Sequence, residues 1–326
     1  MTSDGHGSYR LLVAEVRPEA DGVLALRLVR PDGLQLPAWS AGAHLDVVLP
    51  SGLIRQYSLC GDPQDGKGFR IAVLREADGR GGSREIHDTA LAGLEIGVRG
   101  PRNHFPLVEA QQYLFLAGGI GITPILAMAR DASRRGVPWR LVYGGRTRAT
   151  MAFVGELQDL PGGRVDIHPQ DEHGLLPLDR LLGETGTGTA VYCCGPEPMV
   201  RAVEEISARS LPPVALHVER FSAASGPRVP PPAAAEDSDE FEVELRRSGV
   251  VLSVPADRTL LEVVRDVVPD APYSCEEGFC GACETVVLEG VPLHNDTILT
   301  DQDRESCSMM MICVGRSRSP RLVLDL

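Results

Sequence analysis

Lysine is nearly absent from this sequence: Lys67 stands alone among 32 basic residues, and 45 acidic residues give the 326-residue chain a formal net charge of −13. Because this charge repels a phosphate backbone, nucleic acid is not an expected partner. The polar segment 1–9 lacks the basic start and apolar core of a secretory signal. One uncharged stretch, 110–129, is broken by glycines and a proline, which favours a strand, a turn and a helix over a membrane span. We therefore expect a cytoplasmic protein without a membrane partner.

Several catalytic motifs are also missing. The sequence contains no G-x-S-x-G, which excludes a nucleophile elbow, and no C-x-H pair, which excludes a Rieske iron–sulfur centre. Eight cysteines in 326 residues are too few for a disulfide scaffold. In contrast, 35 glycines and 25 prolines exceed the usual share of these residues and predict many turns and short strands rather than a helical bundle.

The order of the segments predicts several domains. Short apolar or alternating runs fill the first hundred residues and predict a small antiparallel β-barrel. After them, buried strands alternate with segments of helical spacing, which predicts an α/β domain with a parallel sheet. A stretch rich in Pro, Ala and Ser is typical of a linker. The predicted boundaries are 1–108 for the barrel domain, 109–222 for the α/β domain, 223–239 for the linker and 240–326 for a compact last domain.

Four cysteines in the last domain have a spacing typical of a metal centre. Cys275, Cys280 and Cys283 form C-x4-C-x2-C, and Cys313 follows 30 residues later, which is the ligand pattern of a plant-type [2Fe–2S] ferredoxin. Thiolates hold iron well, and the small residues between them leave room for backbone N–H groups to reach the sulfurs. Structural zinc usually takes two short cysteine pairs, so zinc fits this pattern less well.

Cys307 competes with Cys313 as the fourth ligand. Cys313 lies in an apolar run, whereas Cys307 follows charged residues, which favours Cys313. The last domain holds 16 acidic and 8 basic residues, a net charge of −8. A cluster with four thiolates adds further negative charge, so we expect this domain to dock on a basic surface of its partner.

A glycine turn in the α/β domain has the features of a nucleotide site. Residues 114–124, LFLAGGIGITP, predict a buried strand, a tight turn and a helix, with Thr123 capping the helix and Pro124 at its first position. Free N–H groups at that end attract a pyrophosphate. A second strand-to-helix turn follows at 194–196, CGP. In a parallel sheet both turns lie at the carboxyl edge, where ligands bind.

Two motifs in the barrel domain could bind a flavin. Arg55, Tyr57 and Ser58 combine a cation for a phosphate, an aromatic side chain for a flat ring system and a hydroxyl for the edge of that ring. From these residues alone, an ordinary barrel strand with a surface arginine is the simpler interpretation. The run GRGGS at 79–83 opens a helix-like stretch and could hold a phosphate through its backbone N–H groups and the Ser83 hydroxyl.

The order of these motifs, R-x-Y-S, G-x-G-G-S, G-G-I-G-I-T-P, C-G-P and C-x4-C-x2-C…C, resembles the phthalate dioxygenase reductase family, to which vanillate demethylase reductases are similar. The resemblance covers essentially the whole chain. It implies an antiparallel FMN-binding β-barrel, a parallel-sheet α/β domain for NAD and an α+β ferredoxin domain of the β-grasp type. The implied activity is that of an NADH-dependent oxidoreductase, which passes electrons from NADH through FMN and the [2Fe–2S] cluster, one at a time, to an oxygenase.

The resemblance also implies the site residues. Ser58, Cys194 and Phe221 are expected at the reacting atoms, with Phe221 shielding the flavin face until NADH displaces it; core packing is the alternative for Phe221. The compact phosphate motif, with no evident aromatic residue to stack on adenine, favours FMN over FAD. The expected cluster ligands are Cys275, Cys280, Cys283 and Cys313. The other expected contacts to FMN or NADH are Arg55, Gln56, Tyr57, Val73, Leu74, Gly81, Gly82, Ser83, Gly118, Gly119, Thr123, Arg146, Gly195 and Pro196.

Several questions stay open at this point. Arg146 and Arg148 follow the second strand of the α/β domain and could bind the 2′-phosphate of NADPH, although the resemblance favours NADH. The expected acceptor is a Rieske-type oxygenase or O-demethylase, and a cytochrome P450 is the alternative. Two other classes are a non-enzymatic redox-responsive flavin and iron–sulfur protein and a zinc-stabilised flavoprotein. The chain is expected to act as a monomer.

Overall fold

The structure is a computed structural model that describes residues 8–77, 81–89, 91–210, 215–221, 240–269, 271–273, 275–279 and 281–326. The described residues up to Phe221 form one compact unit, and those after it form a second. The predicted linker 223–239 lies outside the described residues, as does the predicted cluster ligand Cys280. None of the helices in the described ranges has the length and apolarity needed to cross a membrane.

A six-stranded antiparallel β-barrel opens the first unit, which confirms the prediction from the turn-rich sequence. Its elements are β1 (Ser8–Ala20), β2 (Val23–Val29), β3 (His44–Val48), β4 (Ile54–Ser58), β5 (Phe69–Leu74), α1 (Gly82–Asp88) and β6 (Glu95–Arg102). The strand order is β4-β3-β6-β1-β2-β5. A bridge between Leu59 and Ile71 joins the two edges of this sheet and closes the barrel. Alternate strand residues fill an apolar interior, where Leu11, Leu45 and Val98 are fully buried.

A five-stranded sheet forms the rest of the first unit. Its elements are β7 (Gln112–Gly118), α2 (Ile122–Arg135), β8 (Trp139–Gly145), α3 (Val154–Gln158), β9 (Gly163–Pro169), α4 (Gln170–His173), α5 (Leu178–Gly183), β10 (Thr189–Cys194), α6 (Glu197–Ser210) and β11 (Leu216–Glu219). All strands are parallel, in the order β11-β10-β7-β8-β9, as predicted. The strand order reverses between β7 and β10, so the crevice for a ligand lies at the carboxyl ends of these two strands.

The helix after the glycine turn starts earlier than the sequence predicts. A 3₁₀ turn over Gly119–Gly121 runs directly into α2, so the helix begins at Ile122 with Gly121 as its N-cap residue. The prediction that Thr123 caps this helix, with Pro124 at its first position, is therefore wrong. The Thr123 hydroxyl instead donates to the carbonyl of Ile120 at 3.0 Å. The backbone N–H of Ile122 donates to the carbonyls of Gly119 and Ile120 and closes the turn, and the Thr123 side chain is buried in the first helical turn.

Arginine side chains hold the barrel against the parallel sheet. Arg130 of α2 donates to the carbonyl oxygens of Cys60 and Gly61 at 2.7 and 2.8 Å. Arg70 of β5 donates to both carboxylate oxygens of Glu156 in α3, at 3.0 and 2.9 Å. These charged contacts fix the end of β4 above the crevice of the sheet, because Cys60 follows that strand by two residues.

The second unit is an α+β domain with the predicted β-grasp arrangement. Its elements are β12 (Phe241–Leu245), β13 (Val250–Val254), α7 (Leu260–Val267), β14 (Glu284–Glu289), β15 (Pro292–Leu293), α8 (Asp301–Ser306), β16 (Met309–Met311), β17 (Arg316–Ser317) and β18 (Arg321–Leu324). The main sheet has the order β13-β12-β18-β14-β16, with β12 and β18 parallel. Thr259 and Glu262 form a capping box that starts α7, whose apolar face packs on this sheet.

Candidate active site and cluster loop

Three strand ends from distant parts of the first unit meet between the barrel and the sheet. Ser58 ends β4, Cys194 ends β10 and Glu219 ends β11. Cys194 and Glu219 are direct partners in the parallel register of β10 and β11. The Ser58 hydroxyl reaches across from the barrel and donates to Glu219 Oε2 at 3.5 Å. The structure thus brings the predicted Ser58 and Cys194 together and adds Glu219 to them.

The acidic groups of this meeting point are held in their neutral forms. Burial raises the pKa of Glu219 to about 8, an effect that the hydrogen bond from Ser58 partly offsets. Burial also raises the pKa of the Cys194 thiol well above its ordinary value, and the nearby Glu219 adds to this effect. At neutral pH both groups therefore keep their protons, and the crevice is lined without a net negative charge at these positions.

The two predicted nucleotide turns are in direct contact. A Cβ atom added to Gly118 would lie 2.6 Å from Cδ of Pro196, and one added to Gly121 would lie 2.3 Å from the carbonyl oxygen of Cys194. Glycine is therefore required at both positions. Gly119 has a φ of 53°, and a Cβ atom there would meet open space. At the place where the strand order reverses, the backbone of this turn is therefore not covered by side chains. Such a turn allows close approach by a dinucleotide.

A second candidate binding site lies at the start of α1. Gly81 precedes this helix with a φ of 89°, and a Cβ atom added to Gly82 would lie 2.5 Å from Cγ of Arg55. The Ser83 oxygen accepts the backbone N–H of Glu76 at 3.2 Å, so its own proton can be donated elsewhere. Helix N–H groups, a hydroxyl and a guanidinium in one place suit a phosphate, so the residues present fit the phosphate end of a flavin nucleotide. The first two residues of the GRGGS motif lie outside the described residues.

Four predicted flavin contacts are distributed over two strands of the barrel. The Gln56 amide donates to Asp46 at 3.3 Å, on the opposite face of β4 from Tyr57. Tyr57 packs partly against the barrel core, where burial raises the pKa of its hydroxyl and keeps it protonated. Val73 points into the core and Leu74 is only partly buried. The structure therefore places Tyr57 at the edge of the core and separates Gln56 from it.

Two predicted residues follow the carboxyl ends of strands. Phe221 comes two residues after β11 and is 40% exposed, which excludes the alternative that it is a core residue. Arg146 follows β8, and its carbonyl oxygen accepts the backbone N–H of Asp171 at 3.2 Å. Arg148 donates to both carboxylate oxygens of Glu172, at 3.4 and 3.3 Å. The Glu172 carboxylate of α4 therefore lies beside Arg148, and the backbone of α4 is bonded to that of Arg146.

The cysteine loop of the second unit brings three thiols together. Cys275, Cys283 and Cys313 are all buried, and hydrogen bonds with the other two thiols raise the pKa of Cys313. The backbone N–H of Glu277 donates to Sγ of Cys275 at 3.3 Å. Such a group of soft donors with a backbone N–H aimed at sulfur fits an iron–sulfur cluster.

The loop around these thiols depends on glycine. Gly278 has a φ of 76°, and a Cβ atom there would lie 2.6 Å from Cγ2 of Val314 and 3.0 Å from Cα of Asp296. Cys307 instead ends α8 with a φ of 53°, and its Sγ donates to the carbonyl of Arg304 at 3.5 Å. The described residues therefore group Cys313, rather than Cys307, with the other cysteines.

Glu219 and Glu172 are the residues that sequence reasoning did not assign. Glu219 lies in the run HVERF just before the linker, and a polar residue at the carboxyl end of a buried strand was the available signal. Glu172 follows the third strand of the sheet in the same manner. Neither glutamate lies in a recognisable sequence motif. The position of each in the site is determined by the arrangement of the strands and not by its neighbours in sequence.

Comparisons with known proteins show the family of this chain. Residues 115–205 match the oxidoreductase NAD-binding domain, and residues 243–317 match the 2Fe-2S iron-sulfur cluster binding domain. The chain is 41% identical to the phthalate 4,5-dioxygenase oxygenase reductase subunit of Pseudomonas putida, over 94% of this chain and 93% of that protein. The chain belongs to the phthalate dioxygenase reductase family. A solved phthalate dioxygenase reductase, described as a modular structure for electron transfer from pyridine nucleotides to [2Fe–2S], is 37% identical over 98% of both chains, with a TM-score of 0.70.

This chain is also similar to part of a larger enzyme. An intact type IV self-sufficient cytochrome P450 monooxygenase is 41% identical over 98% of this chain, with a TM-score of 0.88, and the chain spans 41% of its length. As a member of the phthalate dioxygenase reductase family, the chain is an oxidoreductase that uses a pyridine nucleotide, a flavin and a [2Fe–2S] cluster as the reductase component of an oxygenase system. The alternatives of a non-enzymatic redox protein and a zinc-stabilised flavoprotein are thereby set aside.

Proposed function

We propose that this reductase takes electrons from NADH and delivers them singly, through FMN and the [2Fe–2S] cluster, to a Rieske-type non-haem iron oxygenase or O-demethylase. The observation that carries the proposal is the meeting of Ser58, Cys194 and Glu219 at the switch point of the sheet. When bound, FMN accepts two electrons at once and releases them one at a time, which matches a hydride donor to a one-electron cluster.

The phosphate of FMN is assigned to the cradle of Arg55, Gly82 and Ser83. The absence of a side chain at Gly82 leaves its backbone open, with the Arg55 side chain alongside. Tyr57 and Ser58 extend from this cradle along β4 and would contact the ring system. Leu74 and Gly81 are also assigned as contacts. Gln56, whose amide bonds Asp46, and Val73, whose side chain lies in the core, would contribute through their backbone only. A cradle for one phosphate supports FMN over FAD, which needs a diphosphate and an adenine site.

The nicotinamide is assigned to the crevice between the glycine turn and the 194–196 turn. Gly118, Gly119 and Thr123 would border its approach on one side, and Cys194, Gly195 and Pro196 on the other. Because the Cys194 thiol and the Glu219 carboxyl are protonated at neutral pH, they place no negative charge where a hydride arrives. Glu219 accepts from Ser58 and so orients that hydroxyl. Phe221, exposed at the same edge, would cover the flavin until the nicotinamide displaces it.

The cofactor preference is assigned to the edge of the sheet beyond β8. Arg146 would contact the ribose end of the dinucleotide. Glu172 engages Arg148, and Asp171 lies next to Glu172 in α4. A 2′-phosphate would be repelled by the acidic side chains of this segment, whereas a 2′-hydroxyl could donate to the Glu172 carboxylate. This arrangement supports NADH over NADPH.

The cluster is assigned to Cys275, Cys280, Cys283 and Cys313, and the acceptor to a partner that docks on the acidic second unit. Sixteen acidic against eight basic residues in 240–326 favour a basic partner surface. A cytochrome P450 is the second candidate acceptor, because the self-sufficient monooxygenase matches nearly all of this chain. The genes that flank this one discriminate between the two: a gene for a Rieske-type oxygenase supports the first and a P450 gene the second.

We further assign 1–108 to the FMN domain, 109–222 to the NAD domain, 223–239 to the linker and 240–326 to the ferredoxin domain. All three cofactor sites lie on one chain, which supports action as a monomer. The structure joins none of the described cysteines in a disulfide, and cluster thiolates need a reducing compartment, which supports a cytoplasmic location.

The proposal is tested by steady-state reduction of cytochrome c, a one-electron acceptor, by the purified full chain loaded with flavin and iron. We expect rapid reduction with NADH and a lower kcat/KM with NADPH. A preference for NADPH would overturn the nucleotide assignment. Absence of cytochrome c reduction with either nucleotide, in protein that contains both cofactors, would overturn the function.

A further inference from the structure

Side chains at the carboxyl end of β11 form hydrogen bonds on both faces of the sheet. Strand alternation directs Glu219 toward the barrel, where it accepts from Ser58, and directs Arg220 toward α6. Arg220 Nε donates to Glu197 Oε2 at 3.1 Å, and its Nη2 donates to Glu204 Oε2 at 2.5 Å. The Arg220 side chain is 16% exposed and that of Glu197 only 6%. The pair is therefore shielded from solvent and salt, and removal of one member leaves a buried charge without its partner.

This ion pair joins two segments that border the crevice. Glu197 is the first residue of α6 and directly follows the 194–196 turn. Arg220 stands between Glu219 and Phe221. The strand register pairs Cys194 with Glu219. Beyond this backbone pair, the ion pair between Arg220 and Glu197 joins the same two segments a second time. A displacement of either segment would therefore move Cys194 and Phe221 relative to each other.

We propose that Arg220 is a positioning residue for hydride transfer, which holds the segment of Glu219 and Phe221 against the turn at Cys194. The inference rests on the proposed function, because it concerns the site assigned to the nicotinamide. Hydride transfer requires the donor and acceptor atoms in near-attack geometry, and a displacement of about 1 Å can lower the rate about 100-fold. Arg220 reaches this geometry only through other residues, since its own side chain points to α6.

Two readouts on the purified, cofactor-loaded full chain test this role. The first is the limiting rate of flavin bleaching by NADH in anaerobic stopped flow, below the melting temperature of each variant. The second is backbone amide exchange over 194–198 and 216–221. For Arg220→Gln we expect bleaching slowed about 10- to 100-fold and faster exchange in both segments. Arg220→Lys keeps the charge but loses the two-pronged geometry, so intermediate values are expected.

Arg140→Gln is the matched control. Arg140 also bonds two carboxylates, Asp166 at 2.7 Å and Glu184 at 3.5 Å, but at the amino-terminal end of β8, away from the crevice. We expect this variant to melt at a lower temperature while bleaching and exchange over the two segments stay unchanged. Should Arg220→Gln fail to fold, Glu197→Gln gives the same test, since it removes the buried partner and leaves Glu204.

The outcomes separate the two proposals. Normal bleaching and unchanged exchange in the Arg220 and Glu197 variants, with a lowered melting temperature alone, would show a purely structural ion pair and overturn the positioning role. If NADH fails to bleach the flavin in the unaltered protein, the proposed function falls and the positioning role falls with it. Slowed bleaching with faster exchange, absent from Arg140→Gln, supports both.

Discussion

The two units assemble their sites in different ways. In the second unit, Cys275 and Cys283 lie in one short loop. The positive φ of Gly278 allows that loop to turn tightly. In the first unit, Ser58, Cys194 and Glu219 come from the ends of three strands far apart in sequence. A loop site depends mostly on local backbone conformation, whereas a site between strand ends depends on sheet register and on how the barrel sits against the sheet. The two sites should therefore respond independently to mutation.

The largest expected effect is the loss of one cofactor without the other. Cys313→Ala removes one of the four assigned cluster ligands, so we expect iron content near zero and no iron–sulfur absorption band. Flavin content and flavin bleaching by NADH should stay unchanged, because those residues lie in the other unit. Cys307→Ala is the control and should keep its iron. Retention of the cluster in the first variant, with loss in the second, would reverse the ligand assignment.

A smaller effect is expected on how the free energy of unfolding of the first unit depends on pH. The pKa of Glu219 is raised to about 8 by burial, so the folded protein binds a proton that the unfolded chain has released above the ordinary carboxyl range. The free energy of unfolding should therefore fall as pH rises toward 8. Glu219→Gln removes this proton and should be more stable than the unaltered protein at about pH 9, by about 1 kcal/mol or more, and similar at about pH 5.

Urea unfolding at the two pH values measures this difference. The rate of flavin bleaching by NADH should also change with an apparent pKa near 8 in the unaltered protein, and this inflection should vanish in Glu219→Gln. Glu205→Gln, an exposed carboxylate of α6, is the control and should keep both behaviours. An inflection near pH 8 that persists in Glu219→Gln would assign the titration to another group.

The smallest expected effect is that of ionic strength on the rate of electron transfer, which should again differ between the two units. Residues 240–326 carry a net charge of −8, so transfer to cytochrome c, a basic acceptor, should slow by up to about tenfold between about 0.05 and 0.5 M salt. Flavin bleaching at saturating NADH should change far less over the same range. Cytochrome c reduction that stays constant across the salt series would contradict docking on the acidic unit.

The same difference between local and distant contacts explains what the sequence could predict. The barrel, the parallel sheet and the cysteine loop all carry short-range signals, such as alternation, glycine turns and ligand spacing, and the structure has them. The start of α2 was misplaced because a 3₁₀ turn precedes it, which the capping pattern of Thr123 does not reveal. Glu219 and Arg220 were missed because their partners, Ser58 and Glu197, are brought near only by strand register and helix packing.

The central claim is that one chain relays electrons from NADH through a flavin to an iron–sulfur cluster. Anaerobic titration of the purified protein with NADH, followed by its visible spectrum after assay of flavin and iron, tests this most directly. We expect bleaching of both the flavin and the iron–sulfur bands, with about three electrons taken up per chain, two by the flavin and one by the cluster. Bleaching of the flavin alone in protein that contains the cluster would contradict it.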